Sequence, residues 1–297
     1  MGEGLRERVV STDLLDIALF ETGPEDGTPV VLLHGFPYDA RSYSEVGPLV
    51  AGARVIVPYL RGFGPTRFRS PGTPRSGQQA ALGQDLLHLL DALGIERAVV
   101  GGYDWGGRAA CILAALYPER VLGLVTVGGY NVQDIAAADH PETPAREKAK
   151  WYQHYFRTEV GRRGLELNRE ELCRILWRDW SPTWNDVEAE FDRSAPSLRN
   201  PDFVDVVVHS YRHRFGAAPG DPRYAAMEEE LARRPRITVP TVSLAPDSDG
   251  FVTNAPDDDR EQFTGPFRSV LLRRVGHNPP QEQPHSFAAA VTSLLRS

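Results

Sequence analysis

Six residues, Gly102-Tyr103-Asp104-Trp105-Gly106-Gly107, constrain the fold of this chain more than any other stretch. The apolar run Arg97–Gly101 before them reads as a short buried strand, and Arg108–Tyr117 after them has a helical pattern. A chain that passes from strand to helix in so few residues turns sharply, with its central residue at positive φ. Glycines two before and two after the apex remove Cβ atoms that would otherwise collide. The apex side chain is then lifted over the sheet, and here it is the carboxylate of Asp104. A carboxylate needs no base to become a nucleophile. It is a mild one, suited to displacement at an activated sp³ carbon such as an epoxide carbon or one that bears a halogen.

Around this turn, strand and helix patterns alternate. Residues 6–20 predict an opening hairpin. Val30–Leu33 is an apolar run typical of a parallel strand buried on both faces, and it leads into His34-Gly35-Phe36-Pro37. Ala53–Pro58 and Val121–Val127 predict further strands, and Gln78–Leu93 predicts a helix closed by Gly94. From about Tyr130 to Pro235 the alternation stops. That stretch is helical in propensity, rich in Arg and Glu, and holds Trp151, Trp177, Trp180 and Trp184 of the five tryptophans. Strand patterns resume at Ile237–Leu244 and Phe267–Arg273, before a helix over about Glu282–Leu295. The expected class is α/β, a mainly parallel sheet flanked by helices, built from residues 1–130 and 236–297, with 131–235 inserted as a helical cap.

Composition excludes several roles. A net charge of −7 is a poor match for a polyphosphate backbone, so no nucleic-acid partner is expected. No apolar run approaches membrane-spanning length. The charged start Met1–Arg8 lacks the apolar segment of a secretory leader. Cys111 and Cys173 are far apart and read as buried thiols in a reducing compartment, so the expectation is cytoplasmic. His209 and His213 stand at i and i+4, but no Glu lies between them and Arg212 and Arg214 adjoin them. No metal is expected there, and no phosphate loop or dinucleotide fingerprint is present, so no cofactor is expected.

An ester on Asp104 would need a base to activate water. His277, in Val275-Gly-His-Asn-Pro-Pro280 after the last strand, has the right place in the chain. A carboxylate must fix its tautomer. Asp249 is preferred for that role, with Asp247 and Asp134 as alternatives. Backbone amides of Trp105 and Phe36 are expected to form the oxyanion hole. The Phe36–Pro37 bond is expected to be cis, as only X–Pro bonds readily are. His34 is expected to hold its loop rather than act as a base.

Together, His34-Gly-Phe-Pro37, Gly102-x-Asp104-Trp-Gly-Gly107, an acid after the penultimate strand and Gly276-His277 resemble the α/β-hydrolase-fold epoxide hydrolases over nearly the whole chain. Haloalkane and haloacid dehalogenases share these elements. The cap discriminates better. In the epoxide hydrolases two cap tyrosines hydrogen-bond the epoxide oxygen. Trp151-Tyr152-Gln-His-Tyr-Phe156 and His209-Ser-Tyr211-Arg212 resemble the two segments, which implies those roles for Tyr152 and Tyr211. A phenol with pKa about 10 is acidic enough to help an alkoxide leave.

Two departures matter. Tyr103 stands before the apex where these enzymes often carry His, and Trp105 stands where fluoroacetate dehalogenases carry an arginine. Arg108 is retained one turn further on. The expected function is hydrolysis of an epoxide to a vicinal diol. The tryptophans predict a pocket walled by aromatics, with Trp151 and Pro37 among its lining, for a bulky aryl or polycyclic epoxide. The alternatives are a dehalogenase with the same nucleophile and, from another class, a non-catalytic small-molecule binding protein on this fold.

Overall fold

The computed structural model describes residues 6–138, 140–251 and 259–296. Among these, nine strands form one sheet: β1 (Arg6–Ser11), β2 (Leu15–Thr22), β3 (Thr28–Leu33), β4 (Ala53–Pro58), β5 (Arg67–Phe68), β6 (Ala98–Gly102), β7 (Val121–Val127), β8 (Thr241–Pro246) and β9 (Phe267–Leu272). Their order is β1-β2-β4-β3-β6-β7-β8-β9, with β5 paired to β2. β2 is antiparallel to β1, β4 and β5, whereas every pairing from β4 to β9 is parallel.

The residues Val30–Leu33 and all of β6 are buried, as both-faced parallel strands require. Each fully buried Val or Leu contributes about 1.5–3 kcal/mol, so the centre of the sheet makes a firm base for what it carries. Register does the positioning. Leu33 lies opposite Gly102, so the segments leaving β3 and β6 start side by side. Pro246 lies opposite Leu272, which brings the segments after β8 and β9 to the same edge. From β3 the chain turns to β4 on one side and later to β6 on the other. This reversal opens a crevice at the carboxyl edge.

The turn after β6 needs its glycines. A Cβ on Gly106 would sit 2.0 Å from the Leu33 carbonyl oxygen, and one on Gly102 would sit 2.4 Å from the Gly106 carbonyl carbon. Asp104 at the apex has φ +49° and begins the helix Asp104–Leu116.

Elsewhere proline shifts the elements. The strand expected from Ile237 begins at Thr241, and Ile237 makes only an isolated bridge to Phe263. Pro240, directly before Thr241, lacks the N–H that a ladder needs. The last helix runs Pro284–Leu294 after a separate turn at Pro279–Glu282, because Pro284 starts a new helix rather than continuing one.

Between β7 and β8 the described chain is helical: Pro144–Ala149, Trp151–Arg157, Glu159–Leu167, Arg169–Trp180, Val187–Ser194, Phe203–Arg214 and Ala225–Leu231. Polar contacts fasten this insertion to the sheet domain. Trp177 Nε1 donates to the Pro37 carbonyl at 3.1 Å, Ser194 Oγ to Asp39 at 2.9 Å, and Asn200 Nδ2 to the Thr66 carbonyl at 2.7 Å. Among the described residues, no helix is long and apolar enough to cross a membrane, and no His, Cys, Asp and Glu side chains group as metal ligands.

Candidate active site

Three loops at the carboxyl edge converge on Asp104. The first follows β3. Its Phe36 amide donates to Asp104 Oδ1 at 2.7 Å, and the Phe36–Pro37 bond is cis. The Trp105 amide belongs to the first helical turn, where N–H groups have no helical acceptor. His34 holds this loop. Its Nδ1 faces the Gly35 carbonyl at 2.9 Å and its Nε2 accepts from the Leu60 amide at 3.0 Å. Burial lowers its pKa to about 4, so it stays neutral in that bridging role.

The other two loops follow β8 and β9. His277 Nδ1 and Asp249 Oδ2 are 2.8 Å apart, and Asp249 Oδ1 accepts from the Phe251 amide at 2.7 Å. The alternatives for this acid lie elsewhere. Asp247 is exposed and accepts from the Arg274 amide at 2.6 Å, while Asp134 faces Arg234 at 3.5 Å. His277 Nε2 lies 3.9 Å from Asp104 Oδ2 and is buried without a hydrogen-bond partner. Burial alone would lower the His277 pKa. The Asp249 carboxylate outweighs that, with Asp104 adding to it, and holds it above the ordinary 6.5.

Sequence reasoning missed the residues that anchor this histidine. The Trp180 carbonyl accepts from both Gly250 and His277 amides at 3.1 Å, and Ser181 Oγ accepts from the His277 amide at 3.1 Å. Glu282 accepts from the amides of Gly276 at 2.6 Å and Asn278 at 3.0 Å, and from Ser181 Oγ at 2.8 Å. The end of one inserted helix thus pins both loops.

Tyr152 and Tyr211 are brought together from two inserted helices. Their rings meet edge to face at 5.4 Å, and each hydroxyl feels the other. Gln153 Nε2 also donates to the Tyr152 hydroxyl at 3.0 Å. Burial first, then the charge of Asp104 among other neighbours, pushes both phenols above their ordinary range. They therefore remain O–H donors at any physiological pH.

Beside Asp104 and His277 lies a cavity of about 300 Å³. Its wall corrects the expectation of an aromatic lining. Arg108, Arg146, Lys150, Arg214 and Arg234 border it, with Tyr103, Tyr130 and Phe251 as its aromatics. Trp151 does not; it is 38% exposed and leans on Tyr152 and Tyr155. Pro37 does not either, being buried under Trp177. The physical reason is that the aromatics bury one another. Phe36 alone meets Trp105, Tyr152, Tyr211 and Trp180 at 5.5–6.4 Å, and Trp177 stacks on Trp184. Open space is left where guanidinium groups resist dry packing. His209 is engaged by the backbone: its Nδ1 accepts from the Gly77 amide at 3.1 Å.

Residues 28–254 match the family model of the alpha/beta hydrolase fold. The chain belongs to this family. An α/β-hydrolase relative named epoxide hydrolase A, from Mycobacterium tuberculosis (strain ATCC 25618 / H37Rv), is 29% identical over 97% of each chain. Human epoxide hydrolase 4 is 24% identical over 92% of this chain and 74% of its own. The crystal structure of a candidate epoxide hydrolase from Klebsiella pneumoniae subsp. pneumoniae MGH 78578 superposes with a TM-score of 0.95 at 44% identity, covering 99% of this α/β-hydrolase and 97% of that one.

Proposed function

We propose that this protein is an epoxide hydrolase that opens the ring through an alkyl ester on Asp104. One observation carries the reading. The apex carboxylate has one oxygen on the Phe36 amide, and its other oxygen faces His277, itself paired with Asp249. Asp104 attacks a ring carbon in line with the breaking C–O bond. The epoxide oxygen enters between the hydroxyls of Tyr152 and Tyr211 and takes a proton from one of them as it leaves. His277 Nε2 lies 3.9 Å from Asp104 Oδ2, so a water hydrogen-bonded to the imidazole is within reach of the ester carbonyl. His277 removes a proton from that water, which adds to the ester carbonyl. The amides of Phe36 and Trp105 receive the charge that develops on the carbonyl oxygen. Collapse breaks the acyl C–O bond, the leaving oxygen takes the proton held by His277, and the proton left on the Asp104 carboxyl returns to the phenolate, which releases a vicinal diol and restores Asp104 and the phenol.

Two phenol donors support an alkoxide leaving group over a halide. The halide reading would need indole N–H groups from Trp105 and Trp151, and Trp151 is 38% exposed, whereas Tyr152 and Tyr211 are buried together. The relatives' names support the same choice. In this reading residues 131–235 act as a cap over a core of 1–130 and 236–297. The two free, buried cysteines favour a reducing, cytoplasmic setting.

Diol formation from epoxides, measured beside halide release from haloalkanes and haloacetates, tests the activity. Diol without halide is the expected result. Tyr152→Phe and Tyr211→Phe should each lower kcat by about 10²–10³-fold, the usual loss for one donor to a developing oxyanion. The double variant should approach inactivity, because the two share one task. Near-wild-type turnover in the double variant would mean that another group holds the oxygen.

The raised His277 pKa gives a pH dependence. Below it the imidazole is protonated and cannot accept a proton from water, while ring opening by Asp104 does not need it. Ester hydrolysis should therefore climb with pH through a midpoint above 6.5, since Asp249, the larger of the two raising charges, stays in place when Asp104 is esterified. Rapid-quench measurement of the two half-reactions checks this. A midpoint below the ordinary histidine value would contradict it.

A further inference from the structure

We propose that the site takes an epoxide bearing a carboxylate close to the ring, and that Arg108 and Arg214, joined by Gln133, bind that carboxylate. This rests on the epoxide hydrolase reading and adds the class of substrate.

The cations around the cavity differ in how they are neutralised. Arg146 and Lys150 both pair with Glu142, and Arg234 faces Asp134 at 3.5 Å. Arg108 and Arg214 have no carboxylate within 4.0 Å among the described residues. With its amide oxygen turned towards them, Gln133 accepts from Arg108 Nη2 at 2.9 Å and Arg214 Nη1 at 3.2 Å. One neutral acceptor is thus shared by two positive groups. Arg108 is only 9% exposed, and the Nε atoms of both arginines are buried without a partner. Asp104 is near enough to be felt by Arg108 but is engaged elsewhere, on the Phe36 amide.

Arg108 is buried and Arg214 half-buried, and two like charges beside each other with so little water around them are unfavourable. An anion between them relieves the repulsion and occupies donors that nothing else uses. Guanidinium forks suit the two coplanar oxygens of a carboxylate. The need is sharpest during turnover, because alkylation removes the negative charge of Asp104 from beside Arg108.

The spacing fits the reaction. Arg108 is four residues after Asp104 on one helix, and Arg214 three after Tyr211 on another. Such residues are neighbours, their Cβ atoms about 5–6 Å apart. An epoxide lying between Asp104 and Tyr211 has both guanidinium groups about one helical turn away. A carboxylate on the ring carbon, or one carbon removed, spans that distance. A cavity of about 300 Å³ also suits a compact molecule. Gln133 is itself fixed, its backbone amide donating to Gln79 Oε1 at 2.9 Å.

The test pairs a reactive and an inert probe. Glycidate is compared with glycidamide for diol formation, and cyclopropanecarboxylate with cyclopropanecarboxamide for binding by calorimetry. The wild-type protein should favour each acid over its amide by at least about tenfold, as loss of a charge-assisted hydrogen bond implies. Arg214→Gln and Arg108→Gln should bring both ratios towards one. Arg234→Gln, whose partner is Asp134, should keep them. Ratios near one in the wild-type protein, with other epoxides still hydrolysed, overturn the carboxylate site and leave the epoxide reading intact. Carboxylate-selective binding that depends on Arg214, with no epoxide opened, supports the anion site and places the failure in the epoxide reading. Ratios that survive both arginine substitutions overturn the assignment to these residues.

Discussion

His277→Gln protein mixed with an accepted epoxide is expected to gain the mass of one substrate molecule and to release almost no diol. Glutamine keeps much of the shape of the imidazole but cannot accept the proton of water. Ring opening needs only Asp104 and the two phenols, so the first half-reaction continues while the second stops. Steady-state turnover should fall by about 10⁶-fold, the scale seen when a triad base is removed. Intact-protein mass spectrometry reads the adduct, and peptide mapping should place it on Asp104. Asp104→Ala should gain no mass. A His277→Gln protein that turns over normally with no adduct would refute the two-step scheme.

Asp249→Asn should be the next most damaging change. Asp249 accepts from His277 Nδ1 at 2.8 Å, and that contact fixes the proton on Nδ1 and leaves Nε2 free towards Asp104. An asparagine can present its N–H₂ group instead and favour the wrong tautomer. The comparable change in a serine triad costs about 10⁴-fold in kcat. The loss should fall on ester hydrolysis, so the alkyl-enzyme should accumulate here too, though cleared slowly rather than trapped. Rapid-quench kinetics separates the two steps. Equal slowing of both would mean that Asp249 acts on the architecture of the site rather than on the base.

What could be read from the sequence was what local sterics dictates. The glycines at 102 and 106 require a strand, a sharp turn and a helix, since larger residues there would collide with Gly106 and Leu33. The loops after β3, β8 and β9 follow from the rule that parallel sheets place their ligands at the carboxyl edge. Asp249 could be preferred over Asp247 by position, but only the fold shows Asp247 turned to the Arg274 amide. The cavity wall was not legible. Arg108 is one turn from Asp104 and visible as such, yet Arg214 and Gln133 reach it only through the path of the insertion. Trp151 misled because an aromatic-rich helix has the same pattern whether its rings face a cavity or one another. Its neighbours Tyr152 and Phe156 pack inward, and Trp151 is left at the surface.

The central claim is that the oxygen delivered to the substrate comes first from Asp104 and only later from water. A single turnover in oxygen-18 water, with enzyme in excess over substrate, measures it directly. The account predicts a first-turnover diol without label and an Asp104 carboxylate that has gained it, with labelled diol appearing only in later turnovers. A first-turnover diol that carries the label would show direct attack by water and contradict the ester on Asp104.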